Sequence, residues 1–255
     1  ADASLTYLES ISLEIITREA DPENHSGEML KNHPTQLRRI KNIVDNPAVL
    51  GEYSYAENRS GEIDILFITD ISLEPYFEDF IDYKTSVGFI VETITTDDIY
   101  ANYSGADEQE KIRNCIIDYY TNDNIFAVIL GGDADKGNPS QNFIPHRGFY
   151  GSVDCDYDIP ADMYYACLDG SWNDDGDLKW GEPGEDDLFA EVIIGRFAVE
   201  DADEIANMTH KQIMYQDQPV VEDIEKALMI GESLDSYTWG GDSKDEVADG
   251  SSNHG

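Results

Sequence analysis

Hydrophobic and polar positions follow one pattern in the first quarter of the chain and another in the rest. Residues 5–17 alternate between apolar and polar side chains, which predicts a half-buried strand. Residues 34–47 carry apolar side chains at helical spacing and predict a short amphipathic helix, followed by a polar linker. We therefore expect residues 1–60 to form a short β-containing segment, separate from a larger unit at 61–255.

From Asp64 onwards, apolar runs of strand length alternate with amphipathic helices. The predicted strands are 64–69, 89–94, 125–132, 190–197 and 226–232, and the predicted helices are 73–88, 107–122 and 201–216. Asp201 has the position and side chain of a helix N-cap, and Gly88 those of a C-terminal stop. Strands that alternate with helices favour parallel βαβ units. The sequence thus predicts an α/β fold with a mostly parallel, doubly wound sheet and flanking helices.

The net charge of the chain argues against several classes of function. The 255-residue chain has a formal net charge of −38, which argues against binding to nucleic acid or to anionic membranes. No apolar run is long enough to span a bilayer. Two explanations of the acidic surface stay open at this stage, a salt-rich or calcium-rich environment and attraction of basic substrates, beside a plain role in solubility.

Acidic residues are densest between Asp154 and Asp187, a stretch with twelve carboxylates and a single basic residue, Lys179. Unpaired carboxylates cannot be packed in a core, because they repel one another and are costly to desolvate. The stretch nevertheless contains tyrosines, tryptophans and Gly-rich turns, which are not typical of a disordered tail. This combination predicts an ordered loop around a hard cation, with calcium as the best match.

Residues 171–182 resemble a twelve-residue calcium loop without the flanking helices of an EF-hand. Gly176 occupies the position of the sharp turn, Ser171 replaces the usual first aspartate, and Asp169 is a substitute for that ligand. A solvated turn without metal is the alternative. Asp133 and Asp135 follow the third predicted strand, and the functional loops of open parallel sheets lie at the carboxyl ends of the strands. The candidate metal ligands are Asp169, Asn173, Asp175, Asp177, Glu182, Asp133 and Asp135.

None of the three cysteines has the spacing of a zinc site or a redox motif. Cys115 lies in a predicted helix and is expected to be a small buried hydrophobic residue. Cys155 and Cys167 flank the acidic stretch, and whether they form a disulfide is left open by the sequence.

Several linked motifs resemble the gingipain-type cysteine peptidases, which have a caspase-like α/β fold. They are DILFITD, FAVILGGDAD, IPADMYYACLDG, EVIIGRFAVEDADEI and KALMIGES, and the resemblance covers roughly residues 62–250. It implies a secreted, calcium-stabilised endopeptidase with a Cys nucleophile and a His, made as a zymogen and matured by autoprocessing. The segment 1–60 then resembles the end of a propeptide, and Arg59 is a candidate processing site.

The resemblance also implies where the catalytic and substrate-binding residues lie. In the family, the catalytic His belongs to a His-Gly dipeptide that follows a further helix and strand after the KALMIGE strand. His254 forms such a dipeptide, but no further helix and strand separate it from the KALMIGE strand. We therefore expect the true dyad further along, in the remaining C-terminal part of the catalytic domain. Asp242, Asp245 and Glu232 match the region that faces a basic side chain of the substrate, Arg or Lys.

Two other functions remain as alternatives. A calcium-dependent interaction module could keep the same fold without a catalytic dyad. A nucleotide-binding protein that uses the GGDAD turn is a weaker match, because the chain lacks the GxGxxG and Walker patterns.

Overall fold

The computed structural model describes residues 63–151 and 156–224, together with 226, 228–231, 240–241 and 244. Its strands are β1 (Ile65–Thr69), β2 (Val91–Thr95), β3 (Ala127–Gly131), β4 (Arg147–Gly151), β5 (Asp156–Ala161) and β6 (Ile193–Phe197). Its α-helices are α1 (Glu78–Ser86), α2 (Thr96–Asn102), α3 (Glu108–Asn122), α4 (Met163–Ala166), α5 (Ala202–Asp217) and α6 (Val221–Ile224), and a 3-10 turn at Glu74–Phe77 precedes α1. The predicted N-terminal segment 1–60 lies outside the described residues.

Within the described residues, four strands form a parallel sheet in the order β2-β1-β3-β6. All five residues of β1 are buried, because helices cover both faces of the sheet. Leu66 and Ile68 pack with buried residues of α2 and α3, whereas Phe67, between them, packs with Phe77, Phe80 and residues of α5. The predicted α/β class, with a mostly parallel, doubly wound sheet, is confirmed.

Helix capping was predicted well where a side chain signals it. The Asp201 side chain accepts a hydrogen bond from the Glu204 N–H at the start of α5, as expected of an N-cap. Asp107 does the same at α3. Gly88 has a φ of +99°, the left-handed conformation that ends a helix at low cost.

Two features near the sheet were not predicted. Helix α2 begins directly after β2, where the Thr95 side chain accepts from the Asp98 N–H. Strands β4 and β5 form an antiparallel pair beside the main sheet, with Phe149 opposite Ile159. This hairpin and α4 carry the chain from the end of β3 to the acidic segment.

The predicted strand at 226–232 is wrong for the residues that the structure describes. Residues 228–231 have no regular structure, and Leu228 is 86% exposed. An apolar run forms a strand only where a neighbouring strand completes its backbone hydrogen bonds. Among the described strands, β6 pairs with β3 alone, so this run adds nothing to that sheet.

Arg196 on β6 ties the carboxyl ends of the strands together. Its Nε and Nη2 donate to the two carboxylate oxygens of Asp162 at 2.8 and 2.7 Å. Its Nη1 donates to the carbonyls of Gly132 and Ile144, both at 2.8 Å. One partly buried guanidinium thereby holds β6, the end of β3 and the start of α4 in fixed relation.

Candidate metal centre

Arg113 on α3 anchors the entrance to the acidic segment. Its Nε donates to the Tyr164 carbonyl at 3.0 Å, and its Nη2 donates to the carbonyls of Cys167, Asp169 and Gly170 at 2.8, 3.0 and 3.2 Å. Burial lowers the pKa of the Arg113 guanidinium, although nearby acidic groups raise it. The backbone around Asp169 is thus fixed to a helix of the core.

Trp172 fixes the base of the predicted calcium loop. It is only 1% exposed, and its ring stacks on Phe149 with the centroids 4.6 Å apart. The Gly181 N–H donates to the Trp172 carbonyl at 2.8 Å. Both ends of the loop therefore meet at one buried side chain.

Within this loop, three predicted ligands come together. The carboxylate oxygens of Asp175, Asp177 and Glu182 lie within 4.8 Å of one another. Gly176 has a φ of +73°, so the sharp turn falls at the predicted position. The Asn173 Oδ1 is buried and has no hydrogen-bond partner among the described residues, which fits an oxygen that can serve as a cation ligand.

The first loop position is not a carboxylate ligand. The Ser171 hydroxyl donates to Asp174 and accepts from the Asn173 N–H. Lys179, the one base of the stretch, lies 3.1 Å from Glu182 and 3.7 Å from Asp177. This ammonium offsets part of the negative charge and would have to withdraw when a divalent ion binds.

Asp169 lies in a second carboxylate cluster rather than beside the loop ligands. Its carboxylate lies within 4.8 Å of those of Asp187 and Glu191, which are 8% and 4% exposed. One oxygen of Asp187 accepts from the Phe189 N–H at 3.0 Å, and one oxygen of Glu191 accepts from the Leu168 N–H at 2.5 Å. Their second oxygens are buried and have no hydrogen-bond partner among the described residues.

Three ionised carboxylates so close together are electrostatically unfavourable in this second cluster. Burial, together with the neighbouring Asp169, raises the pKa of Asp187 to about 6. Burial raises the pKa of Glu191 as well. Like charges at this distance repel strongly in a partly buried setting, and a divalent cation would relieve the repulsion. The residues present therefore fit a hard cation with oxygen ligands.

Sequence reasoning missed Asp187 and Glu191. The available signal was their spacing: two acids four residues apart, directly before β6, in a stretch where the backbone enters the core.

Asp133 and Asp135 follow β3, as predicted, and their side chains cap the turn. The Asp133 Oδ1 accepts from the Ala134 N–H at 2.7 Å. The Asp135 Oδ1 accepts from the N–H groups of Gly137 and Asn138 at 2.8 and 3.1 Å. Their role as metal ligands stays a prediction.

The two described cysteines are free and fully buried. Burial raises the pKa of each thiol to about 12, so neither is a thiolate at neutral pH. Cys115 is thus the buried hydrophobic residue that we expected, and Cys167 does not form the disulfide that the sequence left open. Cys155 and the other predicted site residues lie outside the described residues: Glu232, Asp242, Asp245 and His254.

The sequence model of Peptidase family C25 matches residues 58–254. No curated protein matches. The described helices include none that is long and apolar enough to cross a membrane.

Several solved structures resemble the chain. The Arg-specific cysteine proteinase gingipain R (RgpB) is 21% identical, with a TM-score of 0.41, over 64% of this chain and 30% of that one. The complex of the Porphyromonas gingivalis RgpB pro- and mature domains is also 21% identical, with a TM-score of 0.41, over 60% and 29%. Dimeric latent PorU from Porphyromonas gingivalis is 14% identical, with a TM-score of 0.49, over 70% and 18%. The chain spans less than a third of the length of each.

Proposed function

The chain belongs to peptidase family C25, and on that premise we propose that it forms part of a secreted, calcium-stabilised cysteine endopeptidase that cleaves after basic residues. The observation that carries the proposal is the family match over residues 58–254. The parallel sheet, with its acidic loops after β3 and before β6, is consistent with a fold that builds a site at the carboxyl ends of its strands.

The chain's own part in this reaction is to build the fold, hold calcium and contribute to substrate recognition. Asp242, Asp245 and Glu232 are the proposed partners of the substrate's Arg or Lys, since a carboxylate pairs with a guanidinium through two charge-assisted hydrogen bonds. The net charge of −38 would also draw basic peptides towards the protein. The nucleophile is neither Cys115 nor Cys167, because both thiols are buried and protonated.

Calcium is proposed at two places. The first is the loop cluster of Asp175, Asp177 and Glu182, with the Asn173 Oδ1 as a neutral ligand. The second is the buried cluster of three carboxylates that precedes β6. Calcium prefers six to eight oxygen ligands, and it would supply the positive charge that these clusters lack. Its role is to fix the acidic segment against the sheet.

Hydrolysis of chromogenic peptides tests the proposal. The chain, joined to the remaining C-terminal part of the catalytic domain that we propose to carry the dyad, should be assayed with calcium and a reducing agent. The substrates should end in Arg, Lys or uncharged Gln before the cleaved bond. We expect cleavage after Arg and Lys but not Gln, and loss of activity on treatment with a thiol alkylator. Cys115→Ala and Cys167→Ala are matched controls that should leave this inhibition unchanged.

Three results would contradict the proposal. Cleavage that survives alkylation excludes a cysteine nucleophile, and equal cleavage after Gln excludes the basic preference. Absence of cleavage, combined with stabilisation by calcium, would favour the alternative function of a calcium-dependent interaction module. The high pKa of the described thiols is the observation that keeps this alternative open.

A further inference from the structure

Lys179 is close to both the loop cluster and a pair of tyrosine rings on the β4–β5 hairpin. It is the single basic residue between Asp154 and Asp187. Its Nζ donates to the Glu182 Oε1 at 3.1 Å and lies 3.7 Å from the Asp177 Oδ2. The ammonium is therefore paired with two of the three carboxylates that form this cluster.

The backbone at Lys179 is held on both sides. The Lys179 N–H donates to the Asp177 Oδ1 at 2.6 Å, and the Trp180 carbonyl accepts from the Tyr150 N–H at 2.8 Å. The Trp180 ring lies against Arg147, whose guanidinium carbon is 3.7 Å from the ring centroid. The Lys179 side chain is 34% exposed and has a flexible four-carbon stem, so its ammonium can move while the backbone stays in place.

Two stacked tyrosine rings form a surface that suits an ammonium. Tyr150 of β4 and Tyr157 of β5 have their ring centroids 5.6 Å apart and their planes 14° apart. We call this pair of rings the tyrosine platform. The Lys179 Nζ lies 5.3 Å from the Tyr150 centroid and 5.9 Å from the Tyr157 centroid. The face of an aromatic ring attracts an ammonium within about 6 Å, so the platform is already in reach of Lys179.

Calcium cannot bind fully at the loop cluster while the ammonium stays there. Calcium takes six to eight oxygen ligands, and the acidic residue at the last loop position, Glu182 here, supplies both of its oxygens in such loops. One of these oxygens accepts from Lys179. A divalent ion and an ammonium a few ångströms apart also repel each other. Calcium binding therefore requires the ammonium to leave Glu182.

We propose that Lys179 is an internal competitor of calcium, which pairs with the loop cluster when the metal is absent and moves onto the tyrosine platform when calcium binds. This inference rests on the calcium site proposed for the loop and adds the residue that sets its affinity. The competition raises the calcium concentration at which the loop fills. The platform keeps the displaced ammonium close to the cluster, so Lys179 returns to Glu182 when calcium leaves.

Calorimetric titration of the 255-residue chain with calcium chloride tests the competition. The loop site is identified as the one that Asp175→Asn removes. Lys179→Met should raise the calcium affinity of this site by about three- to tenfold, because it removes two ion pairs that the metal must otherwise displace. A lysine that merely shaped the loop would have the opposite effect, a lower affinity on replacement. Lys136→Met is the matched control, since Lys136 pairs with Asp158 outside the cluster, and it should change the affinity less than about twofold.

Replacement of one platform ring tests where the ammonium goes. Tyr157 is 47% exposed, and Tyr157→Leu should weaken calcium binding at the loop about two- to threefold in the wild-type background. It should have no effect in the Lys179→Met background, which has no ammonium to displace.

Four results would overturn the inference. Calcium affinity at the loop that is unchanged or lower in Lys179→Met excludes the competition while the proposed function stands. An equal gain in Lys136→Met attributes the effect to overall charge. A Tyr157→Leu effect that is absent in the wild-type background, or equal in both backgrounds, excludes the platform. If no variant and not the wild type takes up calcium at the loop, both the inference and the proposed loop site are wrong.

Discussion

Replacement of Glu191 by glutamine should change the stability of the protein in opposite directions with and without calcium. Its carboxylate lies no more than 4.8 Å from those of Asp169 and Asp187. Two unit charges at that separation repel by about 3.5 kcal/mol at an effective dielectric constant of about 20. An amide removes this repulsion, keeps an oxygen for the Leu168 N–H and gains a donor for a neighbouring carboxylate. In chelator at neutral pH, we therefore expect Glu191→Gln to stabilise the fold by about 1–3 kcal/mol.

With calcium, the same substitution should be unfavourable. A ligand at one hundred times its dissociation constant stabilises the folded state by about 2.7 kcal/mol. Loss of one charged ligand should abolish most of that gain at the second cluster and leave the contribution of the loop cluster. Urea denaturation of wild type and Glu191→Gln, with chelator and with calcium, measures both effects.

Glu92→Gln is the matched control, because Glu92 is exposed on β2 and far from both clusters in the sequence. It should change stability by less than about 0.5 kcal/mol in either condition. The reasoning is refuted if Glu191→Gln is less stable than wild type in chelator, or if calcium stabilises the two proteins equally.

Three further predictions follow from the same contacts. The pKa of Asp187 is raised to about 6, so its proton must leave before calcium binds, and calcium affinity at this cluster should increase as the pH rises through about 6. Calorimetry in buffers of different ionisation enthalpy should show proton release on calcium binding below that pH. Absence of proton release would contradict the assignment. Asp175 is exposed, so Asp175→Asn should leave the stability in chelator within about 0.5 kcal/mol of wild type. Calorimetry should record the loss of one calcium site. An unchanged calcium stoichiometry would contradict the assignment of this loop as a calcium site. Asp162→Ala leaves the partly buried guanidinium of Arg196 without its carboxylate, although the bonds to two carbonyls remain. It should cost about 1–3 kcal/mol in urea denaturation, and a loss below about 0.5 kcal/mol would show that this pair does not brace the strands.

The two central strands, β1 and β3, were predictable because they are buried on both faces. The run from Ile65 to Thr69 is apolar or β-branched throughout, which only a central parallel strand explains. The β4–β5 hairpin gave no such signal, because Pro160 and several charged residues interrupt its pattern and residues 157–160 of β5 are all exposed. The apolar run at 228–231 has the composition of a buried strand but forms none, because hydrophobicity alone does not supply a neighbouring strand.

The candidate site was predictable only where its ligands are close in sequence. The loop spacing correctly brought Asp175, Asp177 and Glu182 together around Gly176. The assignment of Asp169 to a particular cluster depends on Arg113, which fixes the backbone near it, and on the path that the chain takes back into the sheet. Such tertiary contacts leave no local periodicity to detect.

The close approach of Trp172 and Gly181 closes the loop between them at its base, with one hydrogen bond of 2.8 Å. This geometry makes the loop transferable to another scaffold that offers a tight hairpin, provided that Glu185, which accepts from the Asp174 and Asp175 N–H groups, is transferred with it. Its indole rings, Trp172 stacked on Phe149 and Trp180 against Arg147, sit where ordering of the loop would alter their fluorescence, so the graft would carry its own optical readout.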